Sequence, residues 1–179
     1  MKINDLTRNA LMIALLAVCS QLSIPIQPVP ITLQTLAVML IGILLTPKNT
    51  LFVTVGYLVL GLVGIPVFAN YSGGLSSVMG PAFGFIIAFI PAACLQALYL
   101  SRQANPVKKS AIFISLAINV VVTYAIGLPY MYLILKTQQG VDLGLTGVLT
   151  AGLLPFIPGD LLKVLVAGFI GDRLRKQFS

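Results

Sequence analysis

Residues 9–47, 49–101 and 110–135 carry no charged side chain. These runs are apolar almost throughout and are punctuated by proline, glycine and amide clusters rather than by regular polar positions. A membrane-spanning helix takes about 20 predominantly apolar residues. The first two runs are therefore each long enough for a pair of spans and the third for one, and the stretch from Leu143 to the basic C-terminal cluster supplies another. The punctuation predicts six spans, at about residues 7–24, 33–47, 49–65, 80–101, 110–134 and 147–172. The second and third are short and are expected to tilt little or to stop below the outer surface. With no repeat or low-complexity segment, residues 1–179 read as a single membrane domain.

Composition strengthens this reading. Of 179 residues, 58% are hydrophobic and 8% charged, with a mean hydropathy of +1.03, against about 25% charged in soluble domains. The expectation is an all-α integral membrane protein. The first 24 residues read as a span and not as a cleaved leader, because Leu-rich sequence runs on into Pro25 with no small-residue cleavage site.

Under this parsing Lys2, Arg8, Lys48, Arg102, Lys108, Lys109, Arg173, Arg175 and Lys176 share one side, and Lys136 stands on the other. Lys/Arg excess marks cytoplasmic loops, so both termini are expected in the cytoplasm, which requires an even number of spans. The net charge of +7 does not point to nucleic acid, because the positives are scattered at helix ends with no stacking aromatics between them.

That orientation leaves three outer connections, residues 25–32, 64–79 and 136–146. In the first, Pro25, Pro28 and Pro30 favour an extended, rigid entry into the next helix, with Thr32 as its expected N-cap. The second is uncharged yet rich in amide and hydroxyl groups, and reads as a loop folded over something.

Asp160 and Lys163 stand out within Pro155-Phe156-Ile157-Pro158-Gly159-Asp160-Leu161-Leu162-Lys163. A charge near the centre of a spanning helix costs roughly 2.5–3.5 kcal/mol on insertion scales, so intramembrane charges are rare and usually functional. Pro158-Gly159 would interrupt or start a helix, placing Asp160 in its first turn. One reading is structural, with Asp160 capping that turn and Lys163 paired to it on the same face. The other adds a ligand. Lys163 lies about 15 Å along a helix from Arg173, which puts it near mid-bilayer if Arg173 marks the inner interface. The pair offers an anionic acceptor and a cationic donor, suited to a small solute with N–H donors and a carbonyl or carboxylate.

Gln34, at the outer end of the second span, and Asn70, in the second outer loop, can each donate and accept; simple solvation, or for Gln34 a bond between helices, is the other reading. Phe68 and Tyr71 flank Asn70 and could wall an apolar ligand; interfacial anchoring is an equal reading. Gly73-Gly74 marks a turn. Ala10 and Ala14 make a small-xxx-small step that lets another helix approach closely, either inside the bundle or from a partner; Gly42 and Gly56 are similar.

Several absences narrow the function. There is no histidine, the four acidic residues are all aspartates, and no G-x-x-x-x-G-K-[ST] loop occurs. Zinc proteases of the H-E-x-x-H type, Ser/His triads and P-loop nucleotide binding are therefore unavailable. Cys19 and Cys94 sit in apolar stretches without metal-ligand spacing. No catalytic or metal site and no cofactor is expected.

Three motifs together carry a resemblance: Pro28-Val29-Pro30-Ile31-Thr32-Leu33-Gln34-Thr35-Leu36; Gly64-Ile65-Pro66-Val67-Phe68-Ala69 with Gly73-Gly74; and the Pro155–Lys163 stretch above. With these motifs in this order over nearly its whole length, the chain resembles the BioY family of bacterial biotin transporters. These are substrate-binding S components of energy-coupling factor (ECF) transporters.

The resemblance implies a six-transmembrane-helix bundle in the bacterial cytoplasmic membrane, with biotin near the outer face under the first and second outer loops. It implies that Asp160 and Lys163 contact biotin, together with an asparagine carried onto Asn70. It also implies that Ala10 and Ala14 meet the T component, which joins the chain to paired ABC ATPases. Where family members usually read Pro-Thr-Gly-Gly-Tyr at the start of the fourth span, this chain has Pro81-Ala82-Phe83-Gly84-Phe85, in which hydroxyl and glycine positions are lost.

The predicted substrate site is thus Asp160, Lys163, Asn70, Gln34, Phe68, Tyr71 and Gly73. Three alternatives stay open: an S component for another vitamin, an autonomous carrier that couples solute to protons through Asp160, and a membrane assembly factor that binds no small ligand.

Overall fold

The computed structural model describes residues 3–104 and 106–178, so Lys2 lies outside the described residues. Seven α-helices are present among them: α1 Ile3–Gln21, α2 Gln34–Leu44, α3 Pro47–Leu62, α4 Phe83–Ser101, α5 Lys109–Gln138, α6 Gly144–Gly152 and α7 Ile157–Phe178. Helices α4 and α5 are each long and apolar enough to cross a membrane. The α6–α7 pair makes a third crossing if it is counted as one bent span, and α2 is a shorter apolar helix.

The predicted sixth span, 147–172, is divided. Helix α6 stops at Gly152, α7 resumes at Ile157, and the two axes differ by 51°. Pro155 explains the break, because it has no N–H to give and disfavours helical conformation at the residue before it. Pro158 sits in the first turn of α7, where the backbone N–H groups lack helical partners and proline is tolerated.

Local chemistry sets other boundaries. At α3, the Thr46 hydroxyl accepts from the Asn49 N–H at 3.4 Å and Pro47 takes the first helical position, a strong start signal. At α2 the N-cap is Leu33, not the expected Thr32. Thr32 belongs to a small antiparallel hairpin, β1 (Ser23–Ile24) with β2 (Ile31–Thr32), that folds the proline-rich connection back on itself. From there its hydroxyl still takes the Gln34 N–H at 3.2 Å. The second loop carries two short 3-10 turns, Ala69–Tyr71 and Leu75–Met79.

In the bundle, α4 lies along α5 and α3, α2 packs against α7, α4 and α1, and α1 rests on α3. The α4/α5 contact is close because glycine meets an aromatic residue in both directions. A Cβ on Gly84 would lie 2.3 Å from Cβ of Tyr130, and one on Gly127 would lie 2.4 Å from the Phe85 ring. A second lock is polar: Asn119 of α5 donates to Gln96 Oε1 of α4 at 2.7 Å, and Gln96 Nε2 donates to the Met39 carbonyl of α2 at 3.0 Å. Such bonds join helices where apolar contact alone discriminates poorly between neighbours. The C-terminal carbonyls of α2 receive guanidinium donors, Arg8 on Leu44 at 2.5 Å and Arg175 on Ile43 at 3.1 Å. These satisfy helix-end acceptors and complement the negative end of the dipole. Ala10 and Ala14 lie on an exposed stripe of α1 with Leu6, Leu11 and Val18, not at an internal contact.

Candidate functional site

The starts of α2, α4 and α7 converge with the middle of α5 and with both loops around a cavity of about 530 Å³. That lies within the range of small-molecule sites, roughly 300–1,000 Å³. All seven predicted site residues line it.

At its polar end, Asp160 and Lys163 are each 7% exposed. Asp160 stands in the first turn of α7, where the helix dipole favours negative charge, and its own N–H is tied to the Phe156 carbonyl at 2.8 Å. Lys163, one turn on, brings Nζ to 2.9 Å from Asp160 Oδ1. Sequence reasoning missed two further members. Thr35 of α2 accepts from Lys163 Nζ at 2.9 Å, with its hydroxyl 3.5 Å from Asp160 Oδ1. Tyr124 of α5 donates to Asp160 Oδ2. Three helices thus hold one buried ion pair, which satisfies the condition for retaining buried charge: both partners are hydrogen-bonded as well as paired.

Gln34 borders this cluster but is held by the protein. Its Nε2 donates to Tyr57 Oη at 2.6 Å and its Oε1 accepts from the Thr32 hydroxyl at 3.1 Å, while the Tyr57 hydroxyl donates to the Val67 carbonyl at 2.8 Å. Gln34 therefore couples the floor of the cavity to its roof.

The walls are aromatic. Phe68 is 1% exposed and meets Tyr57 and Phe83 edge-on at 5.5 and 6.2 Å between ring centroids. Phe85 meets Tyr124 in the same way at 6.0 Å. Edge-to-face contacts of this kind fix ring orientation. Pro81, Ala82, Phe83 and Phe85 all line the cavity. Tyr71 stands at the rim, 74% exposed. Asn70 offers an amide whose Oδ1 accepts from Ser23 Oγ at 3.1 Å, leaving the Nδ2 donors. At Gly73 the loop turns against α3 so closely that a Cβ would lie 2.6 Å from the Ile65 carbonyl oxygen.

A sequence signal for the missed helix exists. Ser115, Asn119 and Thr123 recur every fourth residue on α5 and are all buried, so they mark its inward face, and Tyr124 adjoins that stripe. Thr35 carries no such mark beyond its place after Gln34.

The arrangement can bind a neutral or singly anionic solute that presents both donors and acceptors at the charged end and apolar surface elsewhere. No group of His, Cys, Asp or Glu capable of holding a metal ion occurs among the described residues.

The whole chain has relatives among known proteins. The sequence model of the BioY family matches residues 1–179. The chain is 35% identical to the probable biotin transporter BioY of Pyrococcus horikoshii, covering 98% of both chains. It is 36% identical to the biotin transporter BioY2 of Lactococcus lactis, covering 99% of this chain and 93% of that one. A crystal structure of the S-component for biotin from an ECF-type ABC transporter superposes with a TM-score of 0.84 at 32% identity, over 98% of this chain and 92% of that one. The chain belongs to the BioY family.

Proposed function

We propose that this chain binds biotin in the cavity beneath its two loops and takes it across the membrane as the substrate-specific S component of an ECF-type transporter. The relatives named as biotin transporters and the fold of a biotin S component support biotin uptake. The observation that carries the site assignment is the Asp160–Lys163 pair, held by Thr35 and Tyr124 at the polar end of an aromatic-walled cavity.

The chemistry matches group by group. Biotin has a ureido ring with two N–H donors and one carbonyl, an apolar bicycle and chain, and a terminal carboxylate. A carboxylate offers about four acceptor positions. Lys163, Thr35 and Tyr124 engage three of them at Asp160, and the Thr35 contact, at 3.5 Å, is the one most easily replaced by a ureido N–H. Lys163 supplies a cation for the ureido oxygen or the carboxylate. Gln34, Asn70 and the backbone at Gly73 add polar contacts, and Phe68 and Tyr71 close over the apolar part.

The same proposal sets residues 1–179 as one membrane domain of six spans in the bacterial cytoplasmic membrane, with both termini cytoplasmic and the cavity facing outward. Helix α6 and the first part of α7 then form the sixth span together, bent at residues 153–156. The exposed Ala10/Ala14 stripe of α1 receives the T component, through which paired ATPases supply the energy. The activity is transport and not catalysis, and biotin enters as cargo and not as a cofactor.

Binding of tritiated biotin to the purified chain tests the site; no binding below micromolar concentration would overturn it. Uptake that depends on co-expressed T component and ATPases is the expected result. Uptake by the chain alone, collapsing with an uncoupler, would instead favour a proton-coupled carrier.

A further inference from the structure

The C-terminal end of α1 is tied to the roof of the cavity through one side chain. Gln21, the last residue of α1, accepts at Oε1 from the Tyr71 N–H at 2.9 Å. Its Nε2 donates to the Phe68 carbonyl at 3.0 Å and to Ser20 Oγ at 2.8 Å, with the Pro66 carbonyl at 3.3 Å. Ser20 Oγ in turn reaches the Val67 carbonyl at 2.5 Å. A carboxamide carries donor and acceptor on one planar tip, so a single glutamine can hold both flanks of the turn between residues 68 and 71.

The turn it holds is strained. Asn70 and Tyr71 have φ of +58° and +56°, two consecutive non-glycine residues in the left-handed region. Asparagine tolerates that region; a bulky aromatic rarely enters it and stays only where its surroundings over-determine it. Within the loop, the Phe68 N–H donates to the Ser72 carbonyl at 3.0 Å, and the Ser72 N–H and hydroxyl donate to the Ala69 carbonyl at 3.3 and 2.8 Å. The direct hold on Tyr71 N–H comes from α1. Asn70, which this conformation presents, lines the cavity, whereas Gln21 does not.

We propose that Gln21 is a positioning residue for the ligand site, holding the left-handed Asn70–Tyr71 turn so that the Asn70 amide faces the cavity. The proposal rests on the reading of the cavity as the biotin site, and it makes α1 part of the apparatus that retains the ligand.

The test uses the full chain in nanodiscs, with Gln21→Met, which keeps length and removes both polar functions, alone and combined with Asn70→Ala. Gln21→Met is expected to raise the biotin Kd about tenfold in the parent and less than about twofold in the Asn70→Ala background, the non-additivity of residues acting through one another. Equal losses in both backgrounds would overturn the proposal. Amide hydrogen exchange without ligand supplies an independent readout. Residues 66–74 are expected to exchange faster in Gln21→Met while the α4 and α5 helices keep their protection, and unchanged exchange in 66–74 would also overturn it. If Gln21→Met does not fold, Gln21→Asn, whose amide is one methylene short, is held to the same expectations. Failure of the parent to bind biotin would refute the ligand assignment, and the exchange result would still decide whether Gln21 holds the turn.

Discussion

Tyr124 and Lys163 hold different oxygens of the same carboxylate: the Tyr124 hydroxyl donates to Asp160 Oδ2, while Lys163 Nζ lies 2.9 Å from Oδ1. The carboxylate is thereby oriented between α5 and its own helix before any ligand arrives. Replacing Tyr124 by Phe keeps the ring against Phe85 and removes one charge-assisted bond. Biotin affinity is expected to fall by about 1.5–3 kcal/mol, the usual value of a hydrogen bond to a charged group. Calorimetric titration checks this, and an unchanged affinity would reduce Tyr124 to an apolar wall.

Breaking the ion pair from either side should differ from removing it whole. Lys163→Met leaves an uncompensated buried carboxylate and is expected to destabilise the fold by about 3–5 kcal/mol, whereas the double variant Asp160→Asn/Lys163→Met should recover most of that loss. Biotin binding should be lost in both. Thermal unfolding with and without biotin separates the two effects; recovery of binding in the double variant would show that the pair serves structure alone.

Gly73 is expected to accept no side chain without a shift of the roof. Gly73→Ala would set a Cβ 2.6 Å from the Ile65 carbonyl oxygen, which is backbone and cannot rotate away. The loop must move outward, so biotin dissociation should accelerate while the unliganded melting temperature changes little. Stopped-flow or filter-binding dissociation rates provide the measurement.

The connection between α5 and α6 carries an ion pair outside the predicted spans, Lys136 Nζ to Asp142 Oδ2 at 3.0 Å. The hydrogen bond from Lys136, and then that from the Gly144 N–H, hold the Asp142 carboxyl below its ordinary value. A depressed folded-state pKa contributes stability above the unfolded pKa, near 3.9, and loses it as pH falls through the lower folded value. Asp142→Asn is therefore expected to lower the melting temperature slightly at pH 7 and to match the parent once the solution is acidic enough to protonate Asp142. A difference that persists in acid would assign the effect to something other than the ion pair.

If the exposed α1 stripe receives the T component as proposed, altering it should separate binding from coupling. Ala10→Trp/Ala14→Trp places bulk on an exposed face of α1. Biotin binding by the isolated chain should be unaffected, and uptake in cells that supply the T component and ATPases should be abolished. Loss of binding in the isolated chain would place this face in the fold itself.

Much of this molecule is legible along the chain because the deciding interactions are local. Long uncharged runs require apolar helices whatever they pack against, Thr46-Pro47 starts α3 by its own capping chemistry, and Asp160 and Lys163 meet because three residues is nearly one helical turn. Tertiary structure decided what those local rules leave open. The α6–α7 bend fell at residues 153–156, around Pro155 and before the Pro158-Gly159 step, and its 51° angle belongs to the packed bundle. Thr35 and Tyr124 joined the pair from helices far off in sequence, and Gln21 reached across to residues 68 and 71. A hydroxyl or amide in an apolar helix has no local signature of its partner. Its bond is set by which helix faces it and at what height, and that is a property of the packed bundle alone.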